Sequence, residues 1–323
     1  MENKNVLDIR DLSVSIAGIP FLNRISFKIP EGATVGIVGE SGCGKTTLIK
    51  SIMRLNDAGV SVTQGKIMFF DKELLSMPLR EWNELRGNDI SFIFQNAQSA
   101  LDPMMKVGKQ VAKALLCHKK VSHREAEERA VMWMKRVGIT DAEKRMGSYP
   151  HELSGGQCQR ICLAMAMINM PRLVIADEPT TALDVVTEAG ILDLIKNLRG
   201  EFHTSFLIVS HNIGTLARLC DRVCVMAGGN IVETVGMKEL LDRPAHPYSA
   251  ALLSAYHSLR HTPDSLYSIP GNAPSVREIT GCPFYGRCEK ATDICRLENP
   301  EEKRISEDHF VRCHRVTEDK RDE

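Results

Sequence analysis

The chain has 323 residues, of which 43% are hydrophobic and 25% charged, as in an ordinary soluble globular protein of about two domains. Lysine plus arginine and aspartate plus glutamate are equal at 41 each, which argues against a basic field that would draw nucleic acid. No apolar run approaches the ~18 residues that a membrane helix needs, and the polar N-terminus lacks the apolar core of a signal peptide. The composition therefore predicts a cytoplasmic chain that reaches a membrane only through partner subunits.

Strands and a helix surround a glycine-rich loop near the start of the chain. Residues 6–16 and 25–29 alternate apolar and polar side chains, which predicts half-buried antiparallel strands. The run from Ala33 to Val38 is short, apolar and β-branched, which predicts a buried strand. The residues from Thr47 to Arg54 have the apolar spacing of a helix.

The loop between this strand and this helix fits the phosphate-binding pattern G-x-x-x-x-G-K-[ST]. It comprises Gly39, Glu40, Ser41, Gly42, Cys43, Gly44, Lys45, Thr46 and Thr47. Its glycines let backbone N–H groups turn towards a polyphosphate, and the helix N-terminus adds positive potential there. We expect Lys45 to contact the β- and γ-phosphates and the Thr46 hydroxyl to ligate Mg²⁺. The chain is therefore predicted to bind a nucleoside triphosphate.

The middle of the chain alternates between strands and helices. Strands are predicted at 65–70 and 90–94, and we interpret residues 96–165 as a helical insertion in an α/β core. Ser122 and Glu125 form a capping-box pattern that opens a helix, which Gly138 is expected to end. Further strands are predicted at residues 173–176, 205–209, 222–226 and 231–235, the last two joined by a turn at Gly228-Gly229. This order predicts a mostly parallel sheet, and beyond Gly236 we predict only a short helix and turns.

Two further stretches carry groups suited to phosphate chemistry. The strand at 173–176 ends in Asp177 and Glu178, which we expect to hold Mg²⁺ through water and to polarise an attacking water, respectively. Upstream, Leu153-Ser154-Gly155-Gly156-Gln157 predicts a second anion-binding helix N-terminus. Two such sites, far apart in sequence, indicate that one of them serves a nucleotide held by another molecule.

Four of the ten cysteines lie in a small, polar C-terminal segment. They are Cys282, Cys288, Cys295 and Cys313, in the spacing C-x₅-C-x₆-C-x₁₇-C. Four thiols this close in sequence suit an iron–sulfur cluster or zinc, although zinc sites favour CxxC pairs. Free thiols or disulfides are the third alternative. His309 and His314 are interpreted as ordinary surface residues, with substitute metal ligands as the alternative.

Taken together, these motifs resemble the nucleotide-binding subunits of ABC transporters, over residues 6 to about 255. Residues 39–46 match the Walker A motif, residues 173–178 the Walker B motif, and residues 153–157 the LSGGQ signature in all five positions. Gln95 falls at the Q-loop, Asp184 at the D-loop, and His211 at the switch histidine.

The resemblance implies a fold and a mechanism. The fold is a P-loop NTPase core with an antiparallel β subdomain, an inserted helical subdomain and a small cysteine-ligated extension, with domains at 1–240 and 241–323. The resemblance also implies a head-to-tail dimer that binds two ATP molecules. Each ATP lies between the Walker A motif of one subunit and the signature of the other, near the D-loop Asp184. The signature residues are Ser154, Gly155, Gly156 and Gln157. Glu178 acts as general base, Gln95 senses Mg²⁺ and the membrane subunit, and His211 contacts the γ-phosphate.

Two positions depart from the family pattern. The aromatic residue on which the family stacks adenine would fall near Ile16, where the only nearby aromatic is Phe21. The resemblance therefore implies either a weaker grip on adenine or aliphatic packing by Ile16 in the nucleotide site. Asn212 follows His211 in place of the commoner aspartate.

Several stretches are similar to the oligopeptide, dipeptide and nickel importer branch of this family. They are residues 94–103, 149–152, 177–184 and 243–249. The resemblance is strongest to "D-type" ATPase subunits of peptide importers, whose tail is associated with a [4Fe–4S] cluster, with zinc kept as the alternative here. It implies peptide uptake, with the chain on the cytoplasmic face of the membrane. The implied partners are two permease subunits, a second ATPase subunit or copy, and an extracytoplasmic substrate-binding protein.

Other functions stay open. A nickel or metal-chelate importer ATPase shares the core motifs, although such chains commonly lack the cysteine tail. A soluble ABC protein that acts on ribosomes or DNA usually carries two nucleotide domains in tandem, whereas this chain has one copy of each motif. Its balanced charge also argues against a nucleic-acid partner.

Overall fold

The computed structural model describes residues 4–181, 183–261, 267–272 and 279–316, with only the backbone at 259–261. The strands are β1 (Asn5–Ile16), β2 (Ile19–Pro30), β3 (Thr34–Val38), β4 (Val60–Phe69), β5 (Lys72–Glu73), β6 (Ile90–Ile93), β7 (Leu173–Asp177), β8 (Ser205–Ser210), β9 (Arg222–Ala227), β10 (Asn230–Gly236), β11 (Lys303–Ser306) and β12 (His309–Val311). The α-helices are α1 (Lys45–Ile52), α2 (Leu79–Leu85), α3 (Ala97–Ala100), α4 (Val107–Leu116), α5 (His123–Arg136), α6 (Ala142–Arg145), α7 (Gly155–Met167), α8 (Val185–Phe202), α9 (Ile213–Leu219), α10 (Met237–Asp242), α11 (Pro247–His261) and α12 (Asp293–Leu297).

The chain divides into two compact units. The first contains Pro30–Ala33 and Ser76–Ile208, with the described residues up to Val6. The second contains Leu7–Ile29, Thr34–Leu75 and the described residues from Val209 onwards. The domain boundary expected at residue 240 stays a prediction.

An antiparallel sheet in the second unit has the strand order β2-β1-β4-β5. Strand β1 pairs with β4 from Leu7 opposite Phe69 to Ile16 opposite Val60, with a register shift after Arg10. Gly65 lies at this irregularity with a φ of 99°, and a Cβ there would lie 2.6 Å from the carbonyl oxygen of Asp11. The predicted half-buried strands are thus confirmed, and the bulge requires glycine.

The second unit also holds strands in the order β11-β12-β10-β9-β3. Strand β3 is parallel to β9, whereas β9 and β10 form an antiparallel hairpin. Its turn lies at Gly228 and Gly229, with φ of 45° and 75°, as predicted. Strand β12 then pairs with β10, with Val311 opposite Glu233. The C-terminal segment therefore extends the sheet that contains the phosphate-loop strand.

The first unit combines strands in the order β8-β7-β6 with helices. Strands β6 and β7 are parallel, and every residue of β7 is buried. The chain between them is helical from α3 to α7, which agrees with the helical character predicted for 96–165.

Helix α5 shows how closely local signals set its ends. The Ser122 hydroxyl accepts a hydrogen bond from the backbone N–H of Glu125 at 3.2 Å. The Glu125 carboxylate accepts from Arg129 at 2.7 Å, so only half of the predicted capping box forms. At the other end Gly138 has a φ of 80°, with hydrogen bonds from Gly138 N–H to Lys135 and from Ile139 N–H to Met134. These two bonds are a Schellman motif, so the predicted stop is confirmed.

The C-terminal half differs from the sequence predictions in two respects. After the short helix α10, the 15-residue helix α11 was not predicted. His309 is only 2% exposed, so its interpretation as a surface residue was wrong. Its ring nitrogens contact Glu233 and Glu239, and contacts over such a separation are not visible in local sequence. Within the described residues, no helix has the length and apolarity to cross a membrane.

Candidate nucleotide-binding and hydrolysis site

The phosphate loop connects β3 to α1 in the second unit. All five residues of β3 are buried, and Gly44 caps α1 with a left-handed φ of 104°. A Cβ on Gly44 would approach Leu22 Cδ2 to 2.5 Å and Met226 Cε to 3.0 Å. Both conformation and close packing therefore require glycine here.

Lys45 lies under the loop, only 6% exposed. Its ammonium group donates hydrogen bonds to the carbonyl oxygens of Gly39 at 2.7 Å and Glu40 at 2.9 Å. Thr46, the predicted Mg²⁺ ligand, is exposed on the first turn of α1. The loop thus presents a cation and a hydroxyl beside a helix N-terminus, which is the donor set for a polyphosphate with a metal ion.

Two further loop residues, Glu40 and Cys43, are held by contacts with other parts of the second unit. Cys43 is buried, which raises the pKa of its thiol, and its carbonyl oxygen accepts a hydrogen bond from Gly229 N–H at 3.0 Å. The backbone N–H of Glu40 donates to the Tyr248 hydroxyl at 3.0 Å. The Glu40 carboxylate accepts two hydrogen bonds from Arg287, both at 2.8 Å. Sequence reasoning missed Tyr248 and Arg287, because both are more than 200 positions away along the chain.

In the first unit, the end of β7 brings two predicted residues together. The Gln95 amide donates to Glu178 Oε2 at 3.0 Å, and the Thr181 hydroxyl donates to the same oxygen at 2.7 Å. Asp177 is 5% exposed, and Glu178 has a φ of 45°, which is uncommon for a residue with a side chain. Strained backbone of this kind is concentrated at functional sites. Thr181 was not predicted, although it lies within the quoted 177–184 stretch.

The signature residues begin helix α7, also in the first unit. Ser154 Oγ accepts from the Gln157 N–H at 3.3 Å, and Gln157 Oε1 accepts from the Ser154 N–H at 3.0 Å. This reciprocal capping box supports the predicted helix N-terminus at 154–157. Gly155 would meet Leu183 and Gly156 would meet Thr187 if either carried a Cβ.

Asp184 stabilises the start of α8, next to the signature. Its Oδ1 accepts hydrogen bonds from the backbone N–H groups of Val186 at 3.1 Å and Thr187 at 3.0 Å. The side-chain hydrogen bond with Thr187 is the main reason that the pKa of Asp184 is below its ordinary value. The neighbouring Ala182 lies outside the described residues.

His211 directly follows β8 and is exposed. The next residue, Asn212, accepts a hydrogen bond from Gly214 N–H at 2.8 Å and so caps helix α9. Asparagine and aspartate are about equally good N-caps. The departure from aspartate therefore preserves the helix start behind the histidine.

The two candidates for adenine contact lie in the first hairpin. Ile16 ends β1 and is half-buried. The Phe21 ring lies beside the loop, with Cε1 3.4 Å from the position that a Cβ on Gly44 would occupy. The predicted role of Ile16 stays a prediction, and Phe21 is a second candidate.

Two of the four tail cysteines, Cys282 and Cys288, have raised pKa values to which other tail thiols contribute. Burial raises the pKa of Cys282 to about 11, and the thiols of Cys295, Cys313 and Cys288 add to this. Burial also raises the pKa of Cys288, with contributions from Cys313 and Cys295. Nevertheless, in the part of the chain that the structure describes, no three His, Cys, Asp or Glu side chains are arranged to hold a metal ion. The donor chemistry fits a thiolate centre, but the structure does not establish one.

Comparisons with known proteins agree with the motifs. The ABC transporter family profile matches residues 22–181, and the profile of the oligopeptide/dipeptide transporter C-terminal region matches residues 232–295. The chain is 41% identical to the probable peptide ABC transporter ATP-binding protein y4tR of Sinorhizobium fredii, over 97% of this chain and 96% of that protein. It is 40% identical to the oligopeptide transport ATP-binding protein OppD of Salmonella typhimurium, over 91% and 89%.

A solved structure has the same fold. It is the dimeric post-hydrolysis state of the ATP-binding cassette MJ0796 bound to ADP and Pi, with a TM-score of 0.64 and 26% identity. The match covers 72% of this chain and 98% of that one. The chain belongs to the ABC transporter ATP-binding proteins, in the family that carries the oligopeptide/dipeptide transporter C-terminal region.

Proposed function

We propose that this chain is the ATP-hydrolysing subunit of an ABC importer that takes up di- and oligopeptides. The observation that carries the proposal is the similarity of almost the whole chain, at about 40% identity, to peptide transport ATP-binding proteins. The match to the C-terminal region profile supports the peptide branch in particular.

The proposed roles are those that the sequence motifs predict. Lys45 and Thr46 bind the phosphates and Mg²⁺, and Asp177 holds Mg²⁺ through water. Glu178 is the general base, supported by the hydrogen bonds from Gln95 and Thr181 that orient one of its carboxylate oxygens. His211 contacts the γ-phosphate, and its exposure leaves it accessible for that contact.

We also propose that hydrolysis requires two ATPase chains. Ser154 and Gly156 would then serve the nucleotide held by the partner's phosphate loop, with Asp184 beside them. The ATPase rate per molecule should fall steeply on dilution, or be small without the partner subunit. A constant rate per molecule from a demonstrated monomer would contradict this proposal.

The partners are two permease subunits, a second ATPase subunit or copy, and an extracytoplasmic substrate-binding protein. Through the permeases the chain would be held at the cytoplasmic face of the membrane. The test is ATP hydrolysis and uptake by the assembled transporter in proteoliposomes, with the binding protein loaded with a peptide or with a nickel chelate. Peptide should stimulate both activities. Stimulation by the nickel chelate alone would establish the alternative substrate, and no hydrolysis with either would contradict the proposed function.

For the tail we propose a [4Fe–4S] cluster held by Cys282, Cys288, Cys295 and Cys313. The contributions of Cys295, Cys313 and Cys288 to the raised pKa of Cys282, and of Cys313 and Cys295 to that of Cys288, support the proximity of the four thiols. Such a cluster would provide folding free energy to a small polar segment. Anaerobically purified protein should contain about four iron atoms per chain. Stoichiometric zinc without iron would instead establish the zinc alternative.

A further inference from the structure

The C-terminal segment contacts the phosphate loop through one arginine. Arg287 ends the short 3₁₀ turn Tyr285–Arg287, between Cys282 and Cys288. Both of its terminal nitrogens donate to the Glu40 carboxylate, each at 2.8 Å. A two-bond arginine–carboxylate pair fixes orientation as well as charge.

Glu40 is held at three points by this arrangement. Arg287 binds its carboxylate, the Tyr248 hydroxyl accepts from its backbone N–H at 3.0 Å, and Lys45 donates to its carbonyl oxygen at 2.9 Å. The lysine that is expected to bind phosphate thus shares a residue with the tail arginine. A shift of Glu40 would move the carbonyl group to which Lys45 is bonded.

Aromatic packing fixes the guanidinium. Its carbon atom lies 5.2 Å from the Phe284 ring centroid and 6.0 Å from that of Tyr248. The two rings are 5.3 Å apart, and both residues are buried, at 3% and 0% exposure. The guanidinium is therefore held in place by two buried aromatic rings.

A second route ties the same segment to the loop. Pro283 packs on the β9–β10 turn, where a Cβ on Gly228 would lie 2.8 Å from the Pro283 side chain. The next residue in that turn, Gly229, donates its backbone N–H to the Cys43 carbonyl oxygen at 3.0 Å. The tail thus supports the loop both at Glu40 and behind Cys43.

Stability alone does not account for the arginine. Its side chain is 7% exposed, and burying an ion pair often stabilises a protein less than apolar packing would. Its Nε atom is buried with no hydrogen-bond partner among the described residues, which is unfavourable. Local rules of this kind are broken most often where a residue serves function.

We propose that Arg287 is a positioning residue for nucleotide binding, through which the cysteine-bearing tail holds Glu40 and keeps the phosphate loop in its binding conformation. The inference rests on the proposed binding of ATP by the loop and adds its control by the C-terminal segment. Arg287 acts through Glu40 and is not itself assigned a contact with nucleotide.

The test is calorimetric titration of the full chain with Mg·ADP, which is not hydrolysed. Arg287→Ala should weaken binding by about 5–150-fold, the usual range of coupling between two sites. Arg287→Lys keeps the charge with fewer fixed donors and should be intermediate. Glu40→Gln should also weaken binding, and the double variant should be no weaker than Arg287→Ala, because both changes break one interaction.

The matched control is Arg296→Ala, an exposed arginine in the same segment, which should bind Mg·ADP as the wild type does. In the assembled transporter, Arg287→Ala should raise KM for ATP with kcat nearly unchanged, which is the signature of lost ground-state binding. A merely structural salt bridge would lower the melting temperature but leave the Mg·ADP affinity and KM at their wild-type values.

The outcomes separate this inference from the proposed function. Failure of the wild type to bind Mg·ADP would contradict both. Wild-type binding with unchanged affinity in the Arg287→Lys and Glu40→Gln variants would overturn the role of Arg287 alone. These two variants keep the test valid if Arg287→Ala does not fold.

Discussion

The phosphate loop at residues 39–47 and the C-terminal segment at 279–316 lie in the same compact unit but are specified differently. The loop lies between β3 and α1, and its glycines occupy left-handed or closely packed positions. The motif in the loop's own sequence predicts these glycines. The C-terminal segment is fixed by distant partners: β12 by β10, Arg287 by Glu40, and His309 by Glu233 and Glu239.

This difference shows which parts of the molecule can be altered independently. Changes at Glu178, the proposed general base, should affect the rate of hydrolysis with little effect on nucleotide binding. Changes to Arg287, Glu233 and His309, which hold the C-terminal segment, should affect the stability of that segment. Changes to Arg287 should also affect the phosphate loop. The contact between Arg287 and Glu40 joins the C-terminal segment to the phosphate loop.

The largest effect is expected at the sequence-predicted site. Glu178→Gln keeps the shape of the side chain but removes the base, so turnover should fall by about 10²–10⁴-fold while ATP still binds. The measurement is phosphate release by the assembled transporter. The exposed Glu127→Gln on α5 is the control and should leave turnover unchanged. Equal rates for Glu178→Gln and wild type would exclude Glu178 as the base.

The second-largest effect is expected at Glu233, which contacts the C-terminal segment through His309. The Glu233 carboxylate accepts from the backbone N–H groups of Ala245 at 2.8 Å and His246 at 2.9 Å, and lies 2.8 Å from His309 Nε2. Glu233→Gln replaces one of the two accepting carboxylate oxygens with an NH₂ group. That group is itself a donor, so at least one of the present hydrogen bonds to Glu233 is lost. Breaking a buried pair in this way costs about 3–5 kcal/mol. Amide hydrogen exchange in β12 and α11 should accelerate by more than about a hundredfold.

The exposed Glu301→Gln, in the same segment, is the control for this experiment. Unchanged exchange in β12 of the Glu233→Gln variant would mean that the sheet pairing alone holds the tail. Accelerated exchange confined to α11 would have the same meaning for β12.

Sequence patterns predicted the core well because its signals are local. The alternation in β1, the apolar runs in β3 and β7, and the stop at Gly138 all follow from neighbours within a few positions. The hydrogen bond between Gln95 and Glu178 spans 83 positions. The family resemblance implied that both residues take part in ATP hydrolysis, but it did not predict that they contact each other. His309 lies beside Glu233, which is 76 positions away along the chain, and a single sequence gives no spacing signal for such a contact.

A smaller effect should decide between the two adenine candidates. Phe21→Ala should weaken Mg·ADP binding by about 1–3 kcal/mol if its ring stacks on the base. Ile16→Ala, measured by the same titration, should have the smaller effect, since an aliphatic side chain offers no stacking face. A larger loss for Ile16→Ala would support the original assignment of that position. Ile19→Ala, in the same hairpin, is the control.

The smallest effect is a pH dependence of the stability that His309 contributes through its contacts with Glu233 and Glu239. His309 Nε2 lies 2.8 Å from Glu233 and Nδ1 lies 3.1 Å from Glu239, so both ring nitrogens can donate only when the ring is protonated. Burial lowers the pKa of His309, but the hydrogen bonds with Glu233 and then Glu239 outweigh it, and the net pKa is raised. Burial tends to raise the pKa of Glu233, but the bonds from His309, Ser249 and the backbone leave it lowered.

The direction of the pH effect follows from these shifts. Because the folded pKa of His309 exceeds its unfolded value of about 6.5, its contribution is complete below that pH and is lost as pH rises through the folded pKa. The Glu233 contribution is present above about pH 4.3 and is lost as pH falls through its lowered folded pKa. Nearby His246, whose pKa burial lowers to about 4, stays neutral between these limits. The difference in urea midpoint between wild type and His309→Gln should therefore be largest near pH 6 and smallest near pH 9. His314→Gln, which removes a hydrogen bond to a backbone carbonyl, serves as the control. A difference that is constant from pH 6 to pH 9 would show that His309 contributes through packing rather than through its charge.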